Sequence, residues 1–207
     1  MPEEKSAKGE LSRRQFIRAS GAAVAASTVA GTLISANSNA DAAPTIPAAI
    51  GAVDISLNVN GKVHTLSLQP RVTLLDALRE RLQITGPKRI CDRGNCGGCT
   101  VMKDGKPIYA CMMLAVDAHQ SEILTVEGMG TPERMSTIQQ KFVEHDGLMC
   151  GFCTPGFVTS VHAVLQKNPN ATMDEIRRGC AGNICRCGTF NRVFEAAVAA
   201  ARTGRGA

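Results

Sequence analysis

The stretch CDRGNCGGCTV, residues 91–101, places three cysteines among three glycines, and it decides how the rest of the chain is interpreted. Its cysteines are Cys91, Cys96 and Cys99, which have the spacing C-x4-C-x2-C, and Cys111 follows after a gap of eleven residues. The chain has nine cysteines among 207 residues, and all nine lie between residues 91 and 187. Thiols crowded in this way indicate disulfides, a zinc site or an iron–sulfur centre.

The spacing of the first cysteine set favours a plant-type [2Fe–2S] site. Zinc usually takes two C-x2-4-C pairs, so zinc is a weaker alternative here, and disulfides are weaker still. Gly94, Gly97 and Gly98 permit the tight turns, some with positive φ, that wrap a compact cluster. They also bring backbone N–H groups near the sulfurs, which stabilises negative charge and raises the reduction potential. The expected ligands are Cys91, Cys96, Cys99 and Cys111.

A second set of cysteines combines a C-x2-C pair with a C-x-C pair, with 31 residues between them. Its members are Cys150, Cys153, Cys185 and Cys187. Cys153 and Cys187 each come shortly before an expected helix, where the partial positive charge of the helix N-terminus favours a thiolate. Spacing alone leaves iron–sulfur and zinc equally open for this set.

The ninth cysteine and the histidines do not indicate a further metal site or a catalytic site. Cys180, the ninth cysteine, is expected to be a buried, inert thiol. The histidines are scattered along the chain, which indicates surface or core residues rather than a catalytic group. They are His64, His119, His145 and His162.

The N-terminal 42 residues have the features of a twin-arginine export signal. SRRQFIRAS, from Ser12, contains Arg13 and Arg14, and residues 21–36 are weakly apolar and too short for a membrane span. Ala40-Asp41-Ala42 is a cleavage pattern, so the mature chain should begin near Ala43. Because the twin-arginine translocase carries folded proteins, a cofactor inserted before export would protect the thiols, and the mature protein is expected in the periplasm.

Composition narrows the class further. Hydrophobic residues make up 44% of the chain, aromatic residues 3%, and the net charge of +5 is spread without a long basic run. This composition is typical of one globular domain or two small ones, and it argues against nucleic-acid binding.

Residues 43–52 are expected to form a linker or arm, and residues 53–128 a small α+β domain. Alternating apolar residues from Val53 and the pair Asn60-Gly61 predict a hairpin. Thr73 should cap a helix over residues 74–82. A second hairpin should turn at Asp104-Gly105, with Cys111 in its apolar return strand, and residues 122–127 should form a further strand.

Residues 131–207 change to helical periodicity and predict a four-helix domain. Ile138, Phe142 and Val143 should share one helix face. Thr154 is expected to be an N-cap with proline after it, and Thr172 with Glu175 forms a capping-box pattern. A final helix should follow the last cysteines.

Four cysteine motifs follow one another in the chain: CDRGNCGGCTV, Cys111, CGFCTPG from Cys150 and GNICRC from Gly182. In this order they resemble the small iron–sulfur subunit of the molybdenum hydroxylases, the family of xanthine oxidase and aldehyde oxidoreductase. The resemblance covers residues 53–202. The leader, and the Gly-Thr-Phe that follows Cys187, resemble most the periplasmic aldehyde oxidoreductase members.

The resemblance implies two [2Fe–2S] clusters, one in a plant-type ferredoxin-like (β-grasp) domain over residues 53–128 and one in the four-helix domain. It also implies a large partner with molybdopterin cytosine dinucleotide and a medium partner with FAD. It implies that the second cysteine set holds the cluster nearer molybdenum and the first set the cluster nearer FAD. The chain would then be a non-catalytic electron carrier during the oxidation of aldehydes to carboxylic acids. An N-heterocycle hydroxylase of isoquinoline type, and a stand-alone exported ferredoxin or zinc module, are the alternatives.

Two positions depart from the family pattern. Met149 stands where a glutamine that contacts molybdopterin is common, and a thioether cannot donate a hydrogen bond as an amide does. Ile90 stands where a small residue commonly precedes the first cysteine loop. We therefore expect the surroundings of both cysteine sets to differ locally from the family pattern.

Overall fold

The computed structural model describes Arg14 and residues 51–203. The signal peptide, apart from Arg14, and residues 43–50 of the expected linker therefore lie outside the described residues. Within the described part of the chain, no helix is long and apolar enough to cross a membrane.

The first two strands form the expected hairpin. Strands β1 (Val53–Val59) and β2 (Lys62–Leu68) pair antiparallel along their whole length. The turn residues Asn60 and Gly61 have φ of 53° and 79°, the left-handed backbone that suits a tight hairpin turn. Ile55, Leu57 and Val59 of β1 are buried, so the period-2 pattern is confirmed from Ile55 onward, while Val53 at the start of the strand is 40% exposed.

The helix after this hairpin is confirmed, but it is not a regular α-helix. Thr73 Oγ1 accepts from Asp76 N at 3.1 Å, as expected of the cap. Helix α1 (Leu74–Asp76) then widens into a π-helical turn, Ala77–Arg81, in which Leu82 N donates to Ala77 O at 3.2 Å. The widened end brings Ile84 N to Leu78 O at 2.9 Å and packs Ile84 against the core.

Three further strands complete a five-stranded mixed sheet. They are β3 (Thr100–Lys103), β4 (Lys106–Tyr109) and β5 (Glu122–Leu124). The strand order is β2-β1-β5-β3-β4, with β1 and β5 parallel and the other neighbours antiparallel. The sheet and the helix that packs on it confirm the α+β class.

Two details of this half differ from expectation. Strand β5 ends at Leu124 instead of residue 127, because Thr125 N donates to the Asn60 side-chain oxygen at 2.9 Å and not to a strand. The prediction that Cys111 lies inside a strand was wrong. It lies in a 3-10 turn, Ala110–Met112, because the chain turns there to return toward the cysteine loop.

Four helices follow, as predicted. They are α2 (Thr137–Glu144), α3 (Thr154–Lys167), α4 (Met173–Gly179) and α5 (Phe190–Arg202). The Thr172–Glu175 capping box is present, and Ser136 with Gln139 forms a second one at the start of α2. Both boxes satisfy N–H groups that the first helical turn leaves unpaired.

Two helix predictions were wrong. Val143 is 55% exposed, while Ile138 and Phe142 are buried, because positions 138 and 142 share a face and position 143 falls beside it. Thr154 is not the N-cap of α3. Cys153 occupies that position, Thr154 is already helical, and the Thr154 hydroxyl is buried without a hydrogen-bond partner.

Two hydrophobic cores support the two halves. One lies between the sheet and α1 and includes Leu57, Leu74 and Leu78. The other lies among the four helices and includes Phe142, Phe157 and Ile176. Cys99 and Cys111 of the first set belong to the first core, whereas Cys185 of the second set belongs to the second core and Cys153 packs against it.

Candidate metal centres

The first cysteine set is assembled by one loop and one hairpin. Cys91 and Cys96 lie in the loop between α1 and β3, and Cys99 immediately precedes β3. Because β3 and β4 pair from Thr100 to Tyr109, the chain after β4 returns beside Cys99, and Ala110 N donates to Cys99 O at 3.2 Å. This brings Cys111 to the loop. Cys96, Cys99 and Cys111 are buried, and Cys91 is half-buried.

The three glycines of the loop have two different roles. Gly94 and Gly97 have φ of +73° and +69°, as the expectation of positive φ requires. Gly98 does not, but the Ile90 side chain fills the space that a side chain there would need. Ile90 is therefore accommodated by the absence of a side chain at Gly98. The sequence did not reveal that Asp92 also has positive φ, 54°.

Backbone donors reach the first set as expected, and Asn95 N donates to Cys91 Sγ at 3.3 Å. Burial raises the pKa of Cys91, but hydrogen bonds from the backbone at Arg93 and from the Cys96 thiol outweigh it and lower this pKa to about 7. Burial, with the neighbouring Cys111 thiol, raises the pKa of Cys99 to about 12. We group these thiols as the pairs Cys91–Cys96 and Cys99–Cys111, because each of the two pKa shifts has the partner thiol among its causes.

The second set joins two helix starts. Cys153 is the N-cap residue of α3, and Cys187 lies two residues before Thr189, the N-cap residue of α5. Cys150 Sγ and Cys187 Sγ are 3.4 Å apart. Two thiolates on one tetrahedral metal, each about 2.3 Å from it, would be roughly 3.7 Å apart, so this pair has a suitable separation.

The other pair of the second set is Cys153 and Cys185. Cys185 Sγ is 3.1 Å from the Thr189 hydroxyl. Burial raises the pKa of Cys185, but hydrogen bonds from the hydroxyl and backbone of Thr189 and from Cys153 lower it to about 7. Burial, with the neighbouring Cys185 thiol, raises the pKa of Cys153 to about 12. A charged Cys185 opposes ionisation of both Cys150 and Cys187, which partly offsets the hydrogen bonds that lower the pKa of Cys150 and adds to the hydrogen bond with Cys150 that raises the pKa of Cys187.

The pairing fits a two-iron cluster better than a single ion. A zinc site needs four ligands on one ion, whereas a [2Fe–2S] core takes two thiolates on each iron. Two thiol pairs in each set therefore match the donor arrangement of two [2Fe–2S] clusters. The individual ligand assignments stay predictions.

The two sets are linked through the segment that carries Cys185. Ile184 N donates to Cys96 O at 3.0 Å, and Tyr109 Oη donates to Gly182 O at 3.3 Å. Sequence reasoning gave no role to Tyr109 or to Asn183, which lies buried between these bonds. The only sequence signal was the position of Gly182-Asn183 directly before the C-x-C pair.

Glycines also follow the exposed thiols of the second set. Gly151 and Gly188 come directly after Cys150 and Cys187, and their φ values are +75° and +81°. Nothing lies within 4 Å of the place where a side chain would start at either residue, so only backbone conformation requires glycine there. Their adjacency to the cysteines was the available signal.

The remaining predicted residues lie apart from the thiol pairs or at their edge. Met149 is 68% exposed and lines a cavity of about 380 Å³ with Cys187, Asn191 and Arg192. Cys180 ends α4 inside the helical core, and burial raises its pKa to about 12, which agrees with an inert thiol. Of the histidines, His119 accepts from Ser56 N at 3.0 Å, and His162 lies on α3.

Three families match successive parts of the chain. The twin-arginine translocation pathway signal sequence matches residues 10–30, which confirms the type of leader. The 2Fe-2S iron-sulfur cluster binding domain matches residues 57–124, and the [2Fe-2S] binding domain matches residues 125–198. The fold and the two cysteine sets thus define a protein that carries two [2Fe–2S] domains.

Similar proteins of known function identify the family within this class. The aldehyde oxidoreductase iron-sulfur-binding subunit PaoA of Escherichia coli O157:H7 is 40% identical over 204 residues, covering 90% of this chain and 86% of the relative. The nicotinate dehydrogenase small FeS subunit of Eubacterium barkeri is 40% identical over 144 residues, covering 70% and 92%. The crystal structure of quinoline 2-oxidoreductase from Pseudomonas putida 86 superposes with a TM-score of 0.72 at 39% identity, covering 75% of this chain and 98% of that one.

This identity extends over most of the chain, and the two cluster domains follow one another in the expected order. The chain therefore belongs to the molybdenum hydroxylase family, as an iron–sulfur electron-transfer subunit.

Proposed function

We propose that this chain is the electron-transfer subunit of a heterotrimeric molybdenum hydroxylase that oxidises aldehydes to carboxylic acids. A large partner subunit would hold molybdopterin cytosine dinucleotide, and a medium partner would hold FAD. This chain would relay electrons from the molybdenum partner to the flavin partner, and the hydroxylation itself would occur in the large partner.

The proposed ligands are the two cysteine sets. Cys91, Cys96, Cys99 and Cys111 would hold the cluster nearer FAD, and Cys150, Cys153, Cys185 and Cys187 the cluster nearer molybdenum. When bound, each [2Fe–2S] cluster supplies a one-electron carrier. The chain supplies donors to the sulfurs, such as Asn95 N to Cys91 and the Thr189 hydroxyl beside Cys185, and these donors favour negative charge there.

One observation supports the relay most strongly. The carbonyl of Cys96 accepts from the N–H of Ile184, which precedes Cys185, at 3.0 Å. Cys96 of the first proposed ligand set and Cys185 of the second are therefore connected through one hydrogen bond and the backbone of Ile184. An electron carrier with two centres needs such a short connection between them, whereas two structural zinc sites do not need to lie close together.

The exposure of the second set supports its orientation toward a partner. Cys150 and Cys187 are exposed, and the neighbouring Met149 and Phe152 are 68% and 51% exposed. Apolar side chains at the surface beside exposed thiols favour a protein partner that covers both. We propose that this surface faces the molybdenum subunit, and that Met149 lies at the molybdopterin side without donating a hydrogen bond.

Aldehydes are the proposed substrates because PaoA, an aldehyde oxidoreductase subunit, is similar over 90% of this chain. An N-heterocycle hydroxylase is the second candidate, since the small subunit of nicotinate dehydrogenase has the same 40% identity over the cluster domains. The substrate pocket would lie in the large partner, so an assay of the purified complex with aldehydes and with N-heterocycles distinguishes the two.

We further propose that residues 1–42 direct export to the periplasm through the twin-arginine translocase. Residues 43–52 would then link the cleavage site to a ferredoxin-type domain, residues 53–128, and a helical domain, residues 131–207. Sequencing the N-terminus of the exported protein tests the cleavage site, which we expect before Ala43.

Metal analysis tests the cofactor. We expect about four iron atoms and about four sulfides per chain, in two clusters with distinguishable EPR signals. A Cys153→Ser variant should lose one signal and keep the other, and persistence of both signals would show that this ligand assignment is wrong. Zinc without sulfide would instead support the zinc module.

Co-purification tests the assembly. Affinity isolation of this chain, expressed with its neighbouring genes, should recover a molybdenum-containing and a flavin-containing subunit. A cluster-loaded chain that remains alone under these conditions would indicate a stand-alone ferredoxin.

A further inference from the structure

The two halves of the chain meet at a buried amide. Asn183 is only 6% exposed, and its side chain makes hydrogen bonds in both directions. Its Nδ2 donates to Gly97 O, in the first cysteine loop, at 3.1 Å. Its Oδ1 accepts from the Ser160 hydroxyl, on helix α3, at 2.8 Å. Asn183 lies two residues before Cys185, and Gly97 directly follows Cys96.

Three direct hydrogen bonds connect residues 51–124 with residues 131–203, counted within the described part of the chain. They are Asn183 to Gly97, Ile184 to Cys96 and Tyr109 to Gly182. All three end in the consecutive residues 182–184. Of these three residues, only Asn183 uses its side chain, so it is the one whose contribution a substitution can remove without altering the backbone.

The packing around the amide leaves no room for movement. A side-chain carbon at Gly97 would lie 2.6 Å from Asn183 Nδ2 and 2.7 Å from Gly182 O. One at Gly156, in the first turn of α3, would overlap Gly97 O and lie 3.2 Å from Asn183 Nδ2. Glycines on both sides thus allow the first loop, helix α3 and the 182–184 segment to approach closely around Asn183.

Each half keeps its own bonds without this amide. Gly97 O also accepts from Thr100 N at 3.2 Å and from the Thr100 hydroxyl at 2.6 Å. The carbonyl would therefore not become unpaired if Asn183 were replaced. What a replacement removes is the side-chain link from the loop of the first set to helix α3, while the hydrogen bonds of Gly182 and Ile184 to the first half remain.

We propose that Asn183 is a positioning residue that fixes the distance and orientation between the two cysteine sets. It does so by tying the Gly97 carbonyl, beside Cys96, to Ser160 on α3 and to its own chain beside Cys185. This inference rests on the proposed function, because it assigns the separation of two clusters to one buried side chain.

The test is the magnetic interaction between the two reduced clusters, recorded by EPR on the purified, cluster-loaded protein. Dipolar splitting falls with the cube of the distance between two paramagnets, so it reports their separation directly. Asn183→Asp keeps the shape and the Ser160 bond but cannot donate to Gly97, and Asn183→Ala removes both bonds. We expect both variants to keep two cluster signals and four iron atoms, and to lose part or all of the wild-type splitting.

Two further variants, one at a serine and one at a threonine of α3, show how much of the loss of splitting comes from the contact with α3. Ser160→Ala frees the amide from α3 but leaves its bond to Gly97, so a smaller loss of splitting is expected. Thr159→Ala is the matched control, because Thr159 is the buried neighbour on α3 and its hydroxyl donates to Pro155 O at 2.9 Å, away from the amide. It should leave the splitting unchanged, although loss of its hydrogen bond lowers the melting temperature by about 2–4 °C.

The outcomes separate this inference from the proposed function. Wild-type splitting in both Asn183 variants would overturn the inference, and so would the loss of either cluster signal, which would make Asn183 necessary for assembly instead. If the wild-type protein itself showed no two [2Fe–2S] signals, the proposed function would fail before any variant was compared.

Discussion

The two cysteine sets achieve similar pairings of thiols by different means. The first set is a loop of nine residues plus one cysteine from the next turn, and three of its four thiols are buried. The second set takes two cysteines from each of two segments that precede helices α3 and α5, and two of its thiols are exposed. The first therefore depends on the local conformation of one loop, and the second on how two helices pack.

This difference predicts unequal tolerance to substitution. A loop that wraps a centre has no alternative backbone path, so one wrong φ displaces several thiols at once. A site held between two helix starts rests on the helical core, and a local strain there moves one thiol while the other three stay in place. The predictions below compare the two sets in order of decreasing effect.

The largest effect is expected for Gly97→Ala in the first set. Alanine at φ +69° costs about 1–2 kcal/mol, and its methyl group would collide with Asn183 and Gly182 for about 1–3 kcal/mol more. Because the loop cannot relax, we expect loss of the first cluster and of about half of the iron, measured by iron analysis and EPR, while the second cluster remains.

Gly105→Ala is the matched control for this variant. Gly105 has φ +74° in the β3–β4 turn, with open space around it, so it carries the backbone cost without the collision. Full iron content in both variants would mean that the first loop is more adaptable than its geometry indicates.

A smaller effect is expected for Gly188→Ala in the second set. Gly188 has φ +81° and open space around it, so the cost is the backbone strain alone, about 1–2 kcal/mol. We expect both clusters to form, with a melting temperature lower by about 2–8 °C. If this variant lost the second cluster as completely as Gly97→Ala loses the first, the contrast between the two sets would not hold.

The sequence predicted the kind of metal site more firmly for the first set than for the second, because the first set is a local loop and the second is assembled by helix packing. Local spacing determines a loop site, so the cysteines 91–99 and their glycines could be read directly from one stretch. The partners of Cys150 and Cys153 are Cys187 and Cys185, which lie 37 and 32 positions further along the chain, and their approach depends on helix packing that spacing does not encode. Asn183 was missed because its importance comes from a contact with Gly97, 86 residues away.

The start of α3 shows the same limit on a smaller scale. Thr154-Pro155 matches the pattern of an N-cap followed by proline, yet the helix begins one residue earlier, with Cys153 at the cap. The cap pattern describes local preference, whereas the position of Cys153 beside Cys185 is a tertiary constraint. The tertiary constraint determines the boundary and leaves the threonine hydroxyl without a partner.

Thr154→Val should therefore stabilise the second set. The Thr154 hydroxyl is buried without a hydrogen-bond partner, and an isosteric methyl group removes the cost of desolvating it. We expect the free energy of unfolding to rise by about 1 kcal/mol in urea denaturation of the cluster-loaded chain, with unchanged EPR signals. A decrease of similar size would show that this hydroxyl has a bound partner in solution.

The smallest effect concerns the pH dependence of the helical half. Burial lowers the pKa of His162, on α3, below its ordinary value of 6.5. The unfolded chain then takes up a proton more readily than the folded one, so His162 contributes no penalty above pH 6.5 and destabilises the fold as pH falls below it. Because the ring is partly exposed, we expect about 0.5 kcal/mol between pH 7.5 and pH 6.

Urea denaturation of the wild type and of His162→Gln at these two pH values measures that difference. The variant should lose stability with falling pH by about 0.5 kcal/mol less than the wild type, since glutamine does not titrate in this range. His64→Gln, on strand β2, is the same substitution in the sheet half and controls for the change of side chain. An equal pH dependence in all three proteins would mean that His162 takes up its proton as freely in the folded helical core as in the unfolded chain. The helices would then be loose enough around α3 to admit water, and the helical core would support the second cysteine set less firmly than the comparison of the two sets assumes.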